Sequence, residues 1–124
     1  MRRYKVAITT AADGSAVAYT PRLSGKVHQI EYVKDGSNAF ANGVDFTITG
    51  EATGVNLWTE SDVNASAVRA PRQPTHSQAG VASLFASGGT AVQDKVGLAS
   101  DRVKISIAQG GNAKAGAFHV LMDD

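Results

Sequence analysis

The chain has 124 residues, 43% of them hydrophobic and 19% charged, with a net charge of +1 and no cysteine. That length holds one core but not two, and the apolar fraction is that of a folded domain rather than a disordered one. The near-neutral charge argues against a protein that coats nucleic acid, and the missing cysteines exclude a disulfide framework and thiolate metal sites.

The N-terminus, "MRRYKVAITT", opens on two arginines but has no apolar stretch of signal-peptide length behind them. No later apolar run approaches the roughly 18–20 residues that span a bilayer. The chain is therefore expected to be made in a cytoplasm and to have no membrane partner. "YKVAITT" (4–10) and "SAVAYT" (15–20) are short β-prone runs, separated by the turn signal Asp13-Gly14-Ser15. "KVHQIEYV" (26–33) follows, with Ile30 and Tyr32 on one face and Gln29 and Glu31 on the other, and Asp35-Gly36 closes it. Asn42-Gly43 then leads into "GVDFTITGE" (43–51), where Val44, Phe46 and Ile48 alternate with Asp45, Thr47 and Thr49. A period of two over this length predicts a half-buried strand with one wet face. "GVNLWTE" (54–60) is a further β-prone run.

Beyond it the alternation stops. "VRAPRQPTHSQAG" (68–80) carries two of the three prolines, two arginines and one of the three histidines. "SQAGVASLFASGG" (77–89) is the best helical candidate, but Gly80 and Gly88-Gly89 allow at most a short helical turn. Alternation resumes in "DRVKISIAQGG" (101–111), with Val103, Ile105 and Ile107 opposite Arg102, Lys104 and Ser106. Gly110-Gly111-Asn112 is expected to form a hairpin turn into the last strand, "GAFHVLM" (116–122), which Gly116 admits. Seven or eight short strands at this spacing predict one all-β domain, an antiparallel sandwich or a barrel, with Phe46, Trp58 and Phe118 in its core. Two β-rich parts, roughly 3–60 and 90–122, flank an irregular arm or loop at about 66–90. A connection of that length without regular structure usually has a function or is disordered.

The chemistry-bearing residues do not form a catalytic pattern. His28, His76 and His119 lack a second histidine or a carboxylate at metal-ligand spacing, and there is no G-x-S-x-G elbow. Thr75, His76 and Ser77 are adjacent, so in extended chain their side chains point to opposite sides and form no nucleophile–base pair. "GGNAKAG" (110–116) lacks the G-K-[ST] ending of a phosphate loop, and Glu60 with Asp62 falls short of a calcium loop's oxygen count. Asn64-Ala65-Ser66 fits a glycosylation pattern by chance. No catalytic residue, metal or cofactor is expected, and the chain reads as a non-enzyme. Arg102 and Lys104 are placed on the wet face of a strand, where such residues solvate the surface, meet an acidic protein or contact nucleic acid; no interleaved aromatics favour the last.

Proline stiffens "APRQP", and stiffness lowers the entropy lost on docking. Arg72 offers planar donors to a partner's carbonyls or carboxylates. Leu84 and Phe85 are an apolar pair that a purely solvated loop does not need. Either the segment is an arm reaching a neighbouring molecule, or Leu84 and Phe85 fold back on their own core. The arm reading makes Arg69, Pro71, Arg72, Pro74, His76, Leu84 and Phe85, with Arg102 and Lys104, the candidate partner interface.

Through "GVDFTITGEATG" (43–54), "APR" (70–72), "DRVKISIAQGG" and "GAFHVL" (116–121), the chain resembles small β-rich virion proteins of tailed bacteriophages, over most of its length from about Tyr4 to Asp123. The resemblance implies a structural component of the particle, of the head-decoration (cement) type that sits on the capsid exterior and bridges subunits. Its implied partners are the major capsid protein and further copies of itself, in a homo-oligomer such as a trimer, with no direct nucleic-acid contact. The alternatives are a neck or tail component and a receptor- or carbohydrate-binding β module using Trp58 and Tyr19.

Overall fold

The computed structural model describes residues 1–123. It contains ten strands: β1 (Arg2–Thr9), β2 (Ala16–Tyr19), β3 (Leu23–Lys34), β4 (Asp45–Gly50), β5 (Asn56–Glu60), β6 (Ala67–Arg69), β7 (Arg72–Pro74), β8 (Gln93–Asp101), β9 (Val103–Ala108) and β10 (Ala115–Asp123). They form two antiparallel sheets packed face to face, a β-sandwich. The larger sheet has the order β1-β10-β3-β8-β7, with β6 also on β3, and the smaller has the order β2-β9-β4-β5. Each of the seven runs singled out in the sequence holds a strand. The count exceeds seven or eight because β8 adds a strand and the supposedly irregular stretch supplies β6 and β7.

The alternating runs behave as their period requires. Val44, Phe46 and Ile48, and likewise Val103, Ile105 and Ile107, are buried between the sheets. Phe46 is the centre of the aromatic core and is wholly inaccessible. Its ring meets Tyr32 at 4.8 Å, Phe118 at 4.9 Å and Trp58 at 5.4 Å between centroids, all edge to face. Such geometry sets the positive edge of one ring against the negative face of another. Phe40, which lies outside every strand, closes the cluster by stacking on Tyr32 at 5.9 Å.

The chain changes sheet repeatedly, and this corrects one expectation. The glycine-rich turn after β9 is not a hairpin, because β9 belongs to the smaller sheet and β10 to the larger. It is a corner. Gly110 N donates to Gly14 O at 2.8 Å, and Gly110 O accepts from Ala41 N at 2.9 Å. Buried Thr10 donates to Gly111 O and accepts from Lys114 N at 2.9 Å. Three connections are thereby tied together, and their buried polar groups are satisfied.

Gly116 is required for a steric reason. A Cβ there would lie 2.6 Å from Phe40 Cε2 and 3.1 Å from Tyr32 Cε1. Both rings are buried and have little room to retreat. Gly116→Val is therefore expected to destabilise the domain by about 1–3 kcal/mol in urea unfolding, the usual cost of overpacking. Gly36→Val, where a Cβ meets nothing within 4 Å, is expected to leave the midpoint nearly unchanged.

Candidate functional site

The most distinctive surface is the segment between β6 and β8. It leaves the sandwich on a short two-stranded stalk in which Arg72, Gln73 and Pro74 of β7 face Lys95, Asp94 and Gln93 of β8. Pro71 is buried at the base. Arg72 Nη1 donates to its own chain at His28 O (3.1 Å) and Pro71 O (2.7 Å), so part of the fork expected to serve a partner fixes the stalk instead. An ion pair between Lys95 and Asp123 and another between Lys26 and Asp94 (3.5 Å) flank the stalk. The Lys95 ammonium bonded to Asp123 holds that carboxyl below its ordinary range. Asp94 is lowered first by the Lys95 backbone N–H and then by the Lys26 charge.

Above the stalk the chain is ordered by backbone hydrogen bonds. Thr75 N donates to Val92 O at 2.8 Å, Thr75 O accepts from Ser83 N at 3.0 Å, and Val92 N donates to Ser83 O at 2.9 Å. Three passes of chain are locked at this point. Two small loops extend from it. The first turns at 77–80, where Gly80 N donates to Ser77 O, and the second at 86–89, where Gly89 N donates to Ala86 O. Bridges His76↔Ala82 and Leu84↔Ala91 complete them. The helical turn allowed for 77–89 does not form. Gly80 and Gly88 adopt left-handed backbone conformations, φ +80° and +70°, which break a helix and close these turns.

The arm ends in exposed apolar side chains. Val81 is 67% exposed, Leu84 43% and Phe85 75%. Leu84 and Phe85 therefore do not fold back on the core. No Asp, Glu, Lys or Arg lies between Arg72 and Asp94. An apolar tip on a charge-free stem loses little polar hydration when it docks.

The nine residues anticipated as a partner interface occupy three places. Pro74, His76, Leu84 and Phe85 lie on the arm, and His76 Nδ1 sits 2.8 Å from Ser77 O within it. Arg69, Pro71 and Arg72 lie at its root. Arg69 grips both carboxylate oxygens of Glu60 at 2.9 and 3.0 Å and lies over the Trp58 ring, which pulls the Glu60 carboxyl below its usual range. Arg102 and Lys104 belong to the smaller sheet's side of the molecule. Arg102 is not on a strand face, as the alternation suggested, but is the single residue joining β8 to β9; it pairs with Glu51 and lies 4.1 Å above the Tyr19 ring. Lys104 projects from β9 between Tyr19 and Thr49.

Trp58 is only 4% exposed, which removes it as a stacking platform for a sugar; Tyr19 stays 40% exposed, with the Arg102 guanidinium over its ring. Among the described residues no group of three or more His, Cys, Asp and Glu side chains could hold a metal ion, and no helix is long and apolar enough to cross a membrane. The sequence reading missed Val81, although the charge-free window around it was a usable signal. It also missed a hollow of about 420 Å³ on the outer face of the larger sheet, lined by Lys5, Ala7, Val33 and Ala117 among others. No local signal marks that hollow, because three strands distant in sequence build it.

The lowered carboxyls at the stalk carry a pH dependence. A depressed folded-state value contributes stability that is complete above the unfolded value near 4 and is lost as pH falls through the folded one. Hydrogen exchange of β7 and β8 amides, corrected for intrinsic rates, is expected to show constant protection from about pH 7 to 5 and loss below about pH 4. Asp94→Asn with Asp123→Asn is expected to lower protection already at neutral pH. Comparison of the chain with family models, with curated proteins and with solved structures finds no match.

Proposed function

We propose that the protein is a non-enzymatic structural component of a phage virion that decorates and stabilises the capsid by binding the major capsid protein, as an assembly of several copies on the capsid surface. The observation that carries this reading is the arm: an ordered, charge-free projection that presents Val81, Leu84 and Phe85 to solvent on a compact sandwich. Exposed apolar clusters on a small soluble domain mark interaction surfaces. The resemblance of residues 43–54, 70–72, 101–111 and 116–121 to small virion proteins supports the same class. Attachment through the arm together with a sheet edge or face makes each contact weak but their sum strong, since tethered sites raise one another's effective concentration. Strand addition at an open edge is one such contact, with backbone hydrogen bonds supplying affinity.

Quantitative peptide mass spectrometry of purified particles of the source phage tests the location. A copy number near that of the major capsid protein is expected; a handful of copies would move the protein to the neck or tail, and absence would overturn the virion reading. The arm is tested by replacing residues 76–91 with an Asn-Gly turn. Thr75 and Val92 are already hydrogen-bonded across that junction, so the shortened chain is expected to keep its circular dichroism and melting temperature. Its binding to particles stripped of the protein is expected to fall at least about tenfold, as when interface anchors are removed. Undiminished binding would remove the arm from the interface.

A further inference from the structure

The larger sheet has an open edge at β1. Thr10 N donates to Lys114 O, the next position of the β1–β10 register. Hydrogen-bonded pairs alternate along an antiparallel ladder, so Tyr4, Val6 and Ile8 turn their backbone groups toward β10. The N–H and C=O of Arg3, Lys5, Ala7 and Thr9 point the other way. β1 ends its sheet, and no strand or turn among the described residues bonds that row.

The other edges are guarded. β7 has three residues, follows Pro71 and ends in Pro74. β2 has four residues, and β5 is bulged against β4 and tied to β6 through Glu60 and Arg69. Short length, proline and bulges are the devices that keep strand edges from pairing. β1 runs eight residues in unbroken register, with no proline. The apolar layer beneath it is also unsealed. Tyr4, with Ala16 and Ala18 of the neighbouring edge strand β2, is only half-buried against the core. The two alanines leave room for the side chains of one more strand.

We propose that β1 accepts an added strand from a partner protein, an extended segment that alternates apolar and acidic residues. The assignment rests on the reading that a sheet edge shares in docking, and it names the edge and the strand that fits it. Backbone hydrogen bonds to the open row supply affinity, and the side chains on either face supply selection. Apolar residues of the added strand continue the inner face of Tyr4, Val6 and Ile8. Its outer residues stand beside Arg3, Lys5 and Ala7. Glu31, the acid in the cross-strand row of Lys5 and His119, bonds Arg3 at 3.1 Å, which leaves Lys5 without a carboxylate among the described residues. Opposite charges side by side on neighbouring strands stabilise a sheet, and like charges oppose it. The same rule disfavours a second copy, since β1 against β1 gathers two Arg3 and two Lys5 on one short face.

Binding of a fluorescein-labelled peptide of about six residues, alternating valine and glutamate, to the purified full-length protein tests this. A second peptide carries lysine in place of glutamate. The glutamate peptide is expected to bind at least about threefold more tightly. Residue-resolved hydrogen exchange is expected to show an alternating signature. The Arg3, Lys5 and Ala7 amides become protected only with peptide, while those of Tyr4, Val6 and Ile8 are protected with or without it. Ala7→Pro removes an N–H that makes no bond within the chain, so it is expected to keep the circular dichroism and weaken binding at least about tenfold. Lys5→Glu, at an exposed side chain, leaves the backbone untouched and is expected to reverse the peptide preference. No binding at about 1 mM peptide, equal binding of the two peptides, or binding without protection of the alternate β1 amides overturns the assignment. Protection of those amides that grows with protein concentration alone gives the edge to a second copy and overturns it as well. Peptide binding at β1 by a protein that mass spectrometry finds absent from particles supports the assignment while removing the capsid as the partner.

Discussion

The packing of rings around Phe46 is the constraint on which the rest of the molecule depends. Phe46 stands at the middle of the smaller sheet and reaches Tyr32 and Phe118 on the larger one, so it sets how the two sheets face each other. Removing such a ring costs about 3–5 kcal/mol, a large part of a small domain's stability. The spacing it imposes has local consequences. Phe40 must close over the cluster from a loop, Gly116 must then be a glycine, and the corner at Thr10, Gly14 and Gly110 must be tight enough to hand the chain between sheets.

The arm obeys different physics. It has no share in that core, so its order comes from local backbone hydrogen bonds, above all those joining Thr75, Ser83 and Val92. Each net hydrogen bond contributes only about 0.5–1.5 kcal/mol, while a phenyl ring left in water forgoes about 1.5–3 kcal/mol of burial. Phe85, exposed on a pre-ordered support, has less conformational entropy to lose in any contact than it would on a mobile loop. The stalk, with buried Pro71 and the inward-bonded Arg72, transmits the rigidity of the sandwich to the arm.

The positive charges complement this division. Arg69 sits on Trp58 and Glu60, Arg102 on Tyr19 and Glu51, and Lys95 on Asp123. Pairs this exposed are worth about 0–1 kcal/mol each. Their effect is chiefly to orient: they tie β5 to β6 and the stalk to β10. These three of the twelve Lys and Arg side chains are held against the sandwich, while the arm between Arg72 and Asp94 carries none.

What the sequence by itself determined was the fold class and the composition of the core. Period-two alternation in residues 43–51 and 101–111 reports which side chains are buried, because a strand sends successive residues to opposite faces and only one face is dry. The prolines and the loss of alternation after Val68 likewise marked the arm as a departure from the sandwich. Pairing was decided by the tertiary structure alone. β1 lies beside β10, and β9 and β10 lie in different sheets, because strand partners are chosen by what completes a common core rather than by nearness along the chain. The same holds for the site. A charge-free window can be read from the residues, but the inward turn of Arg72, the exposure of Phe85 and the hollow over Ala7, Ala117 and Val33 exist only once strands remote in sequence are brought side by side.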